Sequence, residues 1–362
     1  MGAAAAAATG AAATAKRALA APEDIASPAL VAGASELRVA LPWPDGAAGP
    51  ADQARRLTQR IAFMSAGRFR FVLQPGTGNG LAAVRSGDAD LYYASEHDHL
   101  GVHGALAYFA GLPGERGIGA RQLPAWLQVG GGQPLWDDLA GELGVKAMLA
   151  GHTGERPCFI AARRITDVSE LAGAKVAVTG LARDVVRGFG LEPAALSSSR
   201  LAEALADGQL LAAECGGAIA SYGLGLLRAA SHSAGVSVNR HGSAVALGMR
   251  RSLWDKLSAG DRELFAAAAA VEYELSLAEE EAHRSFLYPQ RAANRTWPVR
   301  RELLRTIGRV SDAVVDTSRR PILALSALTQ ATPPSAAHPV GQTPSRAPRL
   351  PNSIAVGAQI TR

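Results

Sequence analysis

The sequence is poor in aromatics and cysteine and has no long apolar run. Aromatic residues make up 5% of its 362 positions although apolar residues reach 48%, so Ala and Gly carry much of the apolar count. That apolar fraction excludes a chain disordered throughout, and the length suffices for two α/β domains with separate cores. The two cysteines, Cys158 and Cys215, stand in neither CxxC nor His-paired spacing, which argues against a thiolate metal site. Each lies in an apolar or Gly-rich run and reads as a small buried hydrophobe. Pairing in an oxidising compartment stays open, because spacing says nothing of distance. No segment reaches the roughly 18 consecutive apolar residues of a membrane helix.

A broad positive field is also missing. The net charge of +5 equals the five arginines Arg319, Arg320, Arg346, Arg349 and Arg362, and no acid follows Arg319. The rest of the chain is neutral and offers nothing for nucleic acid to grip. Residues 319–362 also hold seven of the 20 prolines and read as a disordered extension. At the other end, Gly2 to Thr14 is almost pure Ala, with Lys16-Arg17 and then Ala20-Ala21 following. The run has the length of an export-signal apolar region but lacks the charged segment before it. Residues 1–35 are read as leader, possible export signal and linker.

No catalytic constellation stands out. Ser197-Ser-Ser199 has no partnered His and Asp, G-x-S-x-G is absent, and Gly76-Thr-Gly-Asn-Gly80 does not continue as G-x-G-x-x-G. An enzyme is not indicated. The run Glu96-His97-Asp98-His99 offers imidazoles and carboxylates to a transition metal, but no second cluster supports a site of three or four converging ligands.

What is present is a βα rhythm. Leu37 to Leu41 and Phe69 to Leu73 read as strands, with a helix over Ala51 to Met64 between them. Val145 to Leu149, Lys175 to Val178, Leu210 to Glu214 and Val245 to Met249 read as further strands, and Trp126 to Leu143, Ala182 to Phe189 and Ser199 to Ala206 as helices. The alternation implies mostly parallel sheets. From Ser258 a capped, apolar-periodic run predicts a helix over Asp261 to Leu287, about 40 Å long and suited to crossing two domains. Tyr92, Tyr93, Trp43 and Trp136 read as packing residues.

Several landmarks in order resemble one family. They are Pro42-Trp43-Pro44-Asp45-Gly46, Met64-Ser65-Ala-Gly-Arg68, Ser86-Gly-Asp-Ala-Asp90, Trp126 with Gly130-Gly-Gly-Gln133, Ala150-Gly-His-Thr-Gly154, and the stretch Gly173 to Gly190. Together they resemble the periplasmic solute-binding subunits of TRAP transporters, in the branch that binds 2-oxoacids and dicarboxylates. The resemblance implies an α/β, two-lobe periplasmic-binding-protein-like fold with a long inter-domain helix. Residues 36–152 plus 243–287 would form lobe I, and 153–242 plus 288–318 lobe II. It implies a periplasmic protein that captures a small carboxylate between the lobes and delivers it to the permease subunits in the membrane.

The family grips the ligand carboxylate with a strand arginine and a cation held by glutamine and glutamates. Here the arginine position is Ala177, the glutamine falls at Arg156, one glutamate at Glu214 and the other near Arg240. The paired tyrosines of the first lobe fall at His97-Asp98. A hard cation wants oxygen ligands and negative charge, so the family's sodium or calcium is expected to be lost, leaving no cofactor. The expected ligand contacts are therefore Arg156, Glu214, Arg240, His97 and Asp98. Two other readings stay open, a degenerate paralogue without the family ligand and a metal-binding protein using the His97–His99 loop.

Overall fold

In a computed structural model, short apolar runs closed by glycine turns fold into two mixed α/β lobes. The structure describes residues 33–114, 117–155, 159–164, 168–230, 232–234, 237–287, 296–297, 305 and 308–314. The leader and the C-terminal extension lie outside these residues, as do Arg156 and Cys158.

Lobe I begins with β1 (Ser35–Ala40), α1 (Pro50–Met64), β2 (Phe69–Gln74), α2 (Gly80–Ser86) and β3 (Leu91–Ala94). Then come α3 (Ala107–Ala110), α4 (Gln122–Gln128), α5 (Gly132–Glu142) and β4 (Val145–His152). Lobe II follows with β5 (Ile160–Ala161), β6 (Lys175–Ala177), α6 (Ala182–Gly188), β7 (Glu192–Pro193), α7 (Leu201–Ala206) and β8 (Ala212–Ala213). It continues through α8 (Ala218–Gly223), α9 (Leu226–Ala229) and β9 (His232–Ala234). The chain then crosses back as β10 (Ala244–Arg250), followed by α10 (Arg251–Trp254), α11 (Ala259–Leu287) and β11 (Thr296–Trp297).

The first sheet has the order β2-β1-β3-β10-β4 and the second β11-β9-β5-β8-β6-β7. Both are mixed, which corrects the mostly parallel expectation. β1 pairs in parallel with β2 and β3, but β10 runs antiparallel to both β3 and β4. The cause is the return crossing: β10 re-enters lobe I from lobe II, so it meets the sheet from the opposite direction.

Lobe I buries apolar side chains on both faces of its sheet. One cluster gathers Tyr92, Phe109, Trp136 and Leu139, the other Leu57, Ile61, Tyr93 and Phe265. The clusters of lobe II consist of Val, Leu, Ile and Ala around one Phe, for example Val176, Val185 and Val186 on one side and Ala177, Leu205 and Leu226 on the other.

The helix α11 starts where the capping residues predict. Ser258 Oγ accepts from the Asp261 amide at 3.1 Å and donates to the Asp261 carboxylate at 2.7 Å, closing the first turn. Its 29 residues span about 44 Å at 1.5 Å per residue. Phe265, Ala268 and Ala269 pack on lobe I. Farther along, Ser276 Oγ accepts from the His152 amide at 3.0 Å. One turn on, the Glu280 carboxylate receives the amides of Ala218 and Ile219 at the start of α8 in lobe II. The helix thus ties both lobes together. Along it, Arg56 of α1 pairs with Glu272 at 2.7 Å and Glu279 at 2.8 Å.

Candidate functional site

The strands of each lobe end at the gap between the lobes, where ligands of open α/β sheets collect. β3 runs out into Ser95 to His99, and β6 into Val178-Thr179-Gly180 before α6. Between them lies a cavity of about 280 Å³. Lobe I lines it with Trp43, Ala47, Ser95, His97 and Asp98, lobe II with Ala177, Thr179, Arg183, Leu196, Leu201 and Ala220. Thr153 and Ser243 of the crossing segments form its floor, and Cys215 completes the lobe II side. Larger hollows of about 610 and 450 Å³ flank Lys175, Gln209 and Leu210. They lie at the amino end of β6 and are lined by lobe II alone, so no second wall can close on a ligand there.

His97 is buried, and both ring nitrogens are engaged. Nε2 lies 2.8 Å from the Gly111 carbonyl, so it carries the proton and donates. In the neutral ring Nδ1, 3.2 Å from Ser243 Oγ, then accepts. The ring also lies against the Gly180 turn of lobe II. A Cβ there would meet it at 2.5 Å, and φ at Gly180 is +60°, a conformation glycine adopts without strain. His97 is thus a wedge between the lobes.

Asp98 is different. It is exposed within the cleft, and its carboxylate accepts no hydrogen bond from a described residue. Crowding by surrounding protein raises its pKa to about 6, Glu96 adds to that, and His99 and Arg183 oppose it. The side chain keeps contact with cleft water, so part of this effect is screened.

His99 points into the core of lobe I. Its Nδ1 lies 2.8 Å from Glu96 Oε2, Tyr92 donates to Glu96 Oε1 at 2.9 Å, and the Leu81 amide donates to its Nε2 at 3.3 Å. The ligands of the Glu96–His99 run therefore diverge. Among the described residues, no group of three or more His, Cys, Asp or Glu could hold a metal ion.

Glu214 is buried beyond β8. Its carboxylate accepts from Ser237 Oγ at 3.0 Å, the Val238 amide at 2.9 Å and the Asn239 amide at 2.6 Å. It is thereby committed to the 237–239 loop. Arg240 follows in that loop and is exposed, and neither Glu214 nor Arg240 lines the cavity. Ala177 is buried on β6, and the Glu214 oxygens face one hydroxyl and two amide donors. Of the predicted contacts, His97 and Asp98 meet at the cavity, and Arg156 lies outside the described residues. Of the aromatics read as packing, Tyr92, Tyr93 and Trp136 are buried in the core, while Trp43 packs edge-on to Tyr93 and also lines the cavity.

The reading by residue type missed Arg183. It stands in the first turn of α6, and its Nε makes only a long 3.5 Å contact to the Val178 carbonyl. The guanidinium is exposed and lines the cavity. The signal was present in Val176-Ala-Val-Thr-Gly-Leu-Ala-Arg183, since a cation just past a strand and glycine turn sits at the carboxyl end of the sheet.

Comparison with known proteins agrees with this geometry. The TRAP periplasmic solute-binding protein of Colwellia psychrerythraea, solved with bound calcium and pyruvate, superposes with a TM-score of 0.70, covering 82% of this chain and 94% of that one at 17% identity. That of Bordetella bronchiseptica, with copurified calcium and picolinate, gives 0.72 over 81% and 89% at 20% identity. The fold is that of the TRAP solute-binding proteins. In sequence, the chain is 28% identical over 246 residues to the monocarboxylate 2-oxoacid-binding periplasmic protein of Nostoc sp.. That match spans 66% of each chain, just under two thirds of the relative's length. No protein-family model matches.

Proposed function

We propose that this chain is an exported solute-binding protein of a TRAP-type transporter, a receptor and not an enzyme, which captures a small carboxylate between its lobes and hands it to the membrane permease. The observation that carries the reading is a cavity at the carboxyl ends of both sheets, walled by both lobes and entered by the Arg183 guanidinium. Closure of two lobes around a ligand is the expected capture device. The periplasmic location of the Nostoc relative supports the same location for this chain. No described helix is long and apolar enough to cross a membrane.

His97 and Asp98 contribute the lobe I wall. Glu214 orders the 237–239 loop, and Arg156 is a further candidate cation for the ligand carboxylate. Binding proceeds without a sodium or calcium ion, because Arg183 and Arg156 replace the charge such an ion would bring. Thermal-shift measurements against a panel of small carboxylates, with and without sodium and calcium, test this. At least one carboxylate raises the melting temperature by mass action, and added cation changes little. If no carboxylate does so, the receptor reading fails. If the shift appears only with cation, the cation-free mechanism fails.

A further inference from the structure

Among the described residues the cleft holds one open charge of each sign, and the two come from different lobes. Asp98 enters from the end of β3, and its carboxylate accepts no hydrogen bond from a described residue. Arg183 enters from the first turn of α6 with a single long contact to a carbonyl oxygen, leaving its terminal nitrogens open. The Arg183 charge acts on Asp98 through space, yet among the described residues they form no ion pair. The remaining lobe II lining is uncharged, with Ala177, Leu196, Leu201 and Ala220 among it, and lobe I adds Trp43 and His97.

A ligand entering such a cleft displaces water from both charges. A charge stripped of water is costly unless it gains an opposite partner. A plain 2-oxoacid satisfies Arg183 but sets its own negative charge in the same small cavity as Asp98. A dicarboxylate makes that repulsion worse. A molecule carrying both a carboxylate and an ammonium group satisfies both walls at once. It also bridges the lobes, so its binding energy favours the closed arrangement over any open one. The volume of about 280 Å³ is at the lower limit of ligand pockets and suits a single small molecule.

We propose that the cleft binds a small zwitterion, an α-amino acid with a short aliphatic side chain, whose carboxylate pairs with Arg183 and whose ammonium group pairs with Asp98. The proposal rests on the receptor reading above and narrows its ligand class.

Calorimetry on the purified protein with matched pairs, L-alanine against pyruvate and L-valine against 3-methyl-2-oxobutanoate, tests it. The amino acid of a pair binds at least about tenfold tighter than its oxoacid. Asp98→Asn abolishes that preference, and Arg183→Ala weakens both members while Arg183→Lys retains part of the affinity. Melting curves confirm that each variant is folded. If the oxoacid binds as well or better and Asp98→Asn improves it, the zwitterion proposal is overturned while carboxylate capture stands. If neither member of either pair binds to folded protein, the zwitterion proposal is overturned, and the carboxylate panel alone decides the receptor reading.

Discussion

The two lobes share a topology of strands and covering helices but differ in what fills them. Among the described residues, the five aromatic rings that rank with the largest fully buried side chains, Trp136, Tyr92, Tyr93, Phe109 and Phe265, all belong to the two cores of the first sheet. Strands there run four to eight residues, whereas those described in lobe II run two or three. Aromatic side chains bury the most area per residue, and longer ladders fix register more firmly. Lobe I is thus the rigid half. Lobe II, made of small residues around short strands, is the half whose ligand-facing positions can change without dismantling a core. Ala177 and Arg183 both stand at such positions in the cavity lining.

The largest test of this contrast is truncation of each core. Trp136 is fully buried and stacks on Phe109 at 5.0 Å, and Phe109 stacks on Trp126 with centroids 5.5 Å apart. Trp136→Ala should cost about 3–5 kcal/mol. Val185→Ala, which removes two methyl groups from an equally buried site in lobe II, should cost about 2 kcal/mol. Urea denaturation of the two variants measures both. Equal losses would erase the distinction between a heavy and a light core.

A second test cuts the tie between the halves. Glu280 on α11 receives the Ala218 and Ile219 amides. The Gly217 backbone lies so near that a Cβ there would meet the Thr153 carbonyl at 2.1 Å and Glu280 Oε1 at 2.2 Å. Burial raises the Glu280 pKa, partly offset by those two amides. Glu280→Ala strands both donors and should cost about 2 kcal/mol. It should also speed hydrogen exchange at Ala218 and Ile219 while leaving the β4–β10 ladder protected. Exchange that stays unchanged at α8 would show that the lobes are joined by something else.

The contrast also explains what could be read from the sequence. Elements of lobe I and the long helix were legible because their apolar periodicity is strong. The predicted helix over Asp261 to Leu287 differs from the observed one by two residues at its start. Mixed pairing was not legible, because Val245 to Met249 looks the same in either direction and only the return crossing makes it antiparallel. In the site, position and role came apart. Glu214 was expected to contact the ligand, but its carboxylate faces the 237–239 loop. Arg183 was not among the expected ligand contacts, and its place became visible only when β6 and the glycine turn aimed α6 at the cleft.

The smallest expected effect concerns the acid that the rigid lobe presents to the cleft. In the folded state the Asp98 pKa is about 6, above its ordinary 3.8, chiefly because surrounding protein displaces water, with Glu96 adding and His99 and Arg183 opposing. A carboxyl whose folded value is raised binds protons more readily folded than unfolded. Its favourable contribution is therefore full below pH 3.8 and is lost as pH rises through about 6. At pH 7 the ionised carboxylate weighs against the ligand-free fold, and Asp98→Asn should remove that penalty. Because the side chain keeps access to cleft water, the gain should be on the order of 1 kcal/mol, less than the full shift implies. By pH 4 the variant and the parent should converge. Melting curves of ligand-free protein at pH 7 and pH 4 measure the difference. A variant that is no more stable at pH 7, or whose advantage persists undiminished at pH 4, would mean that Asp98 is already compensated within the cleft. The rigid wall would then carry no open charge for a ligand to meet.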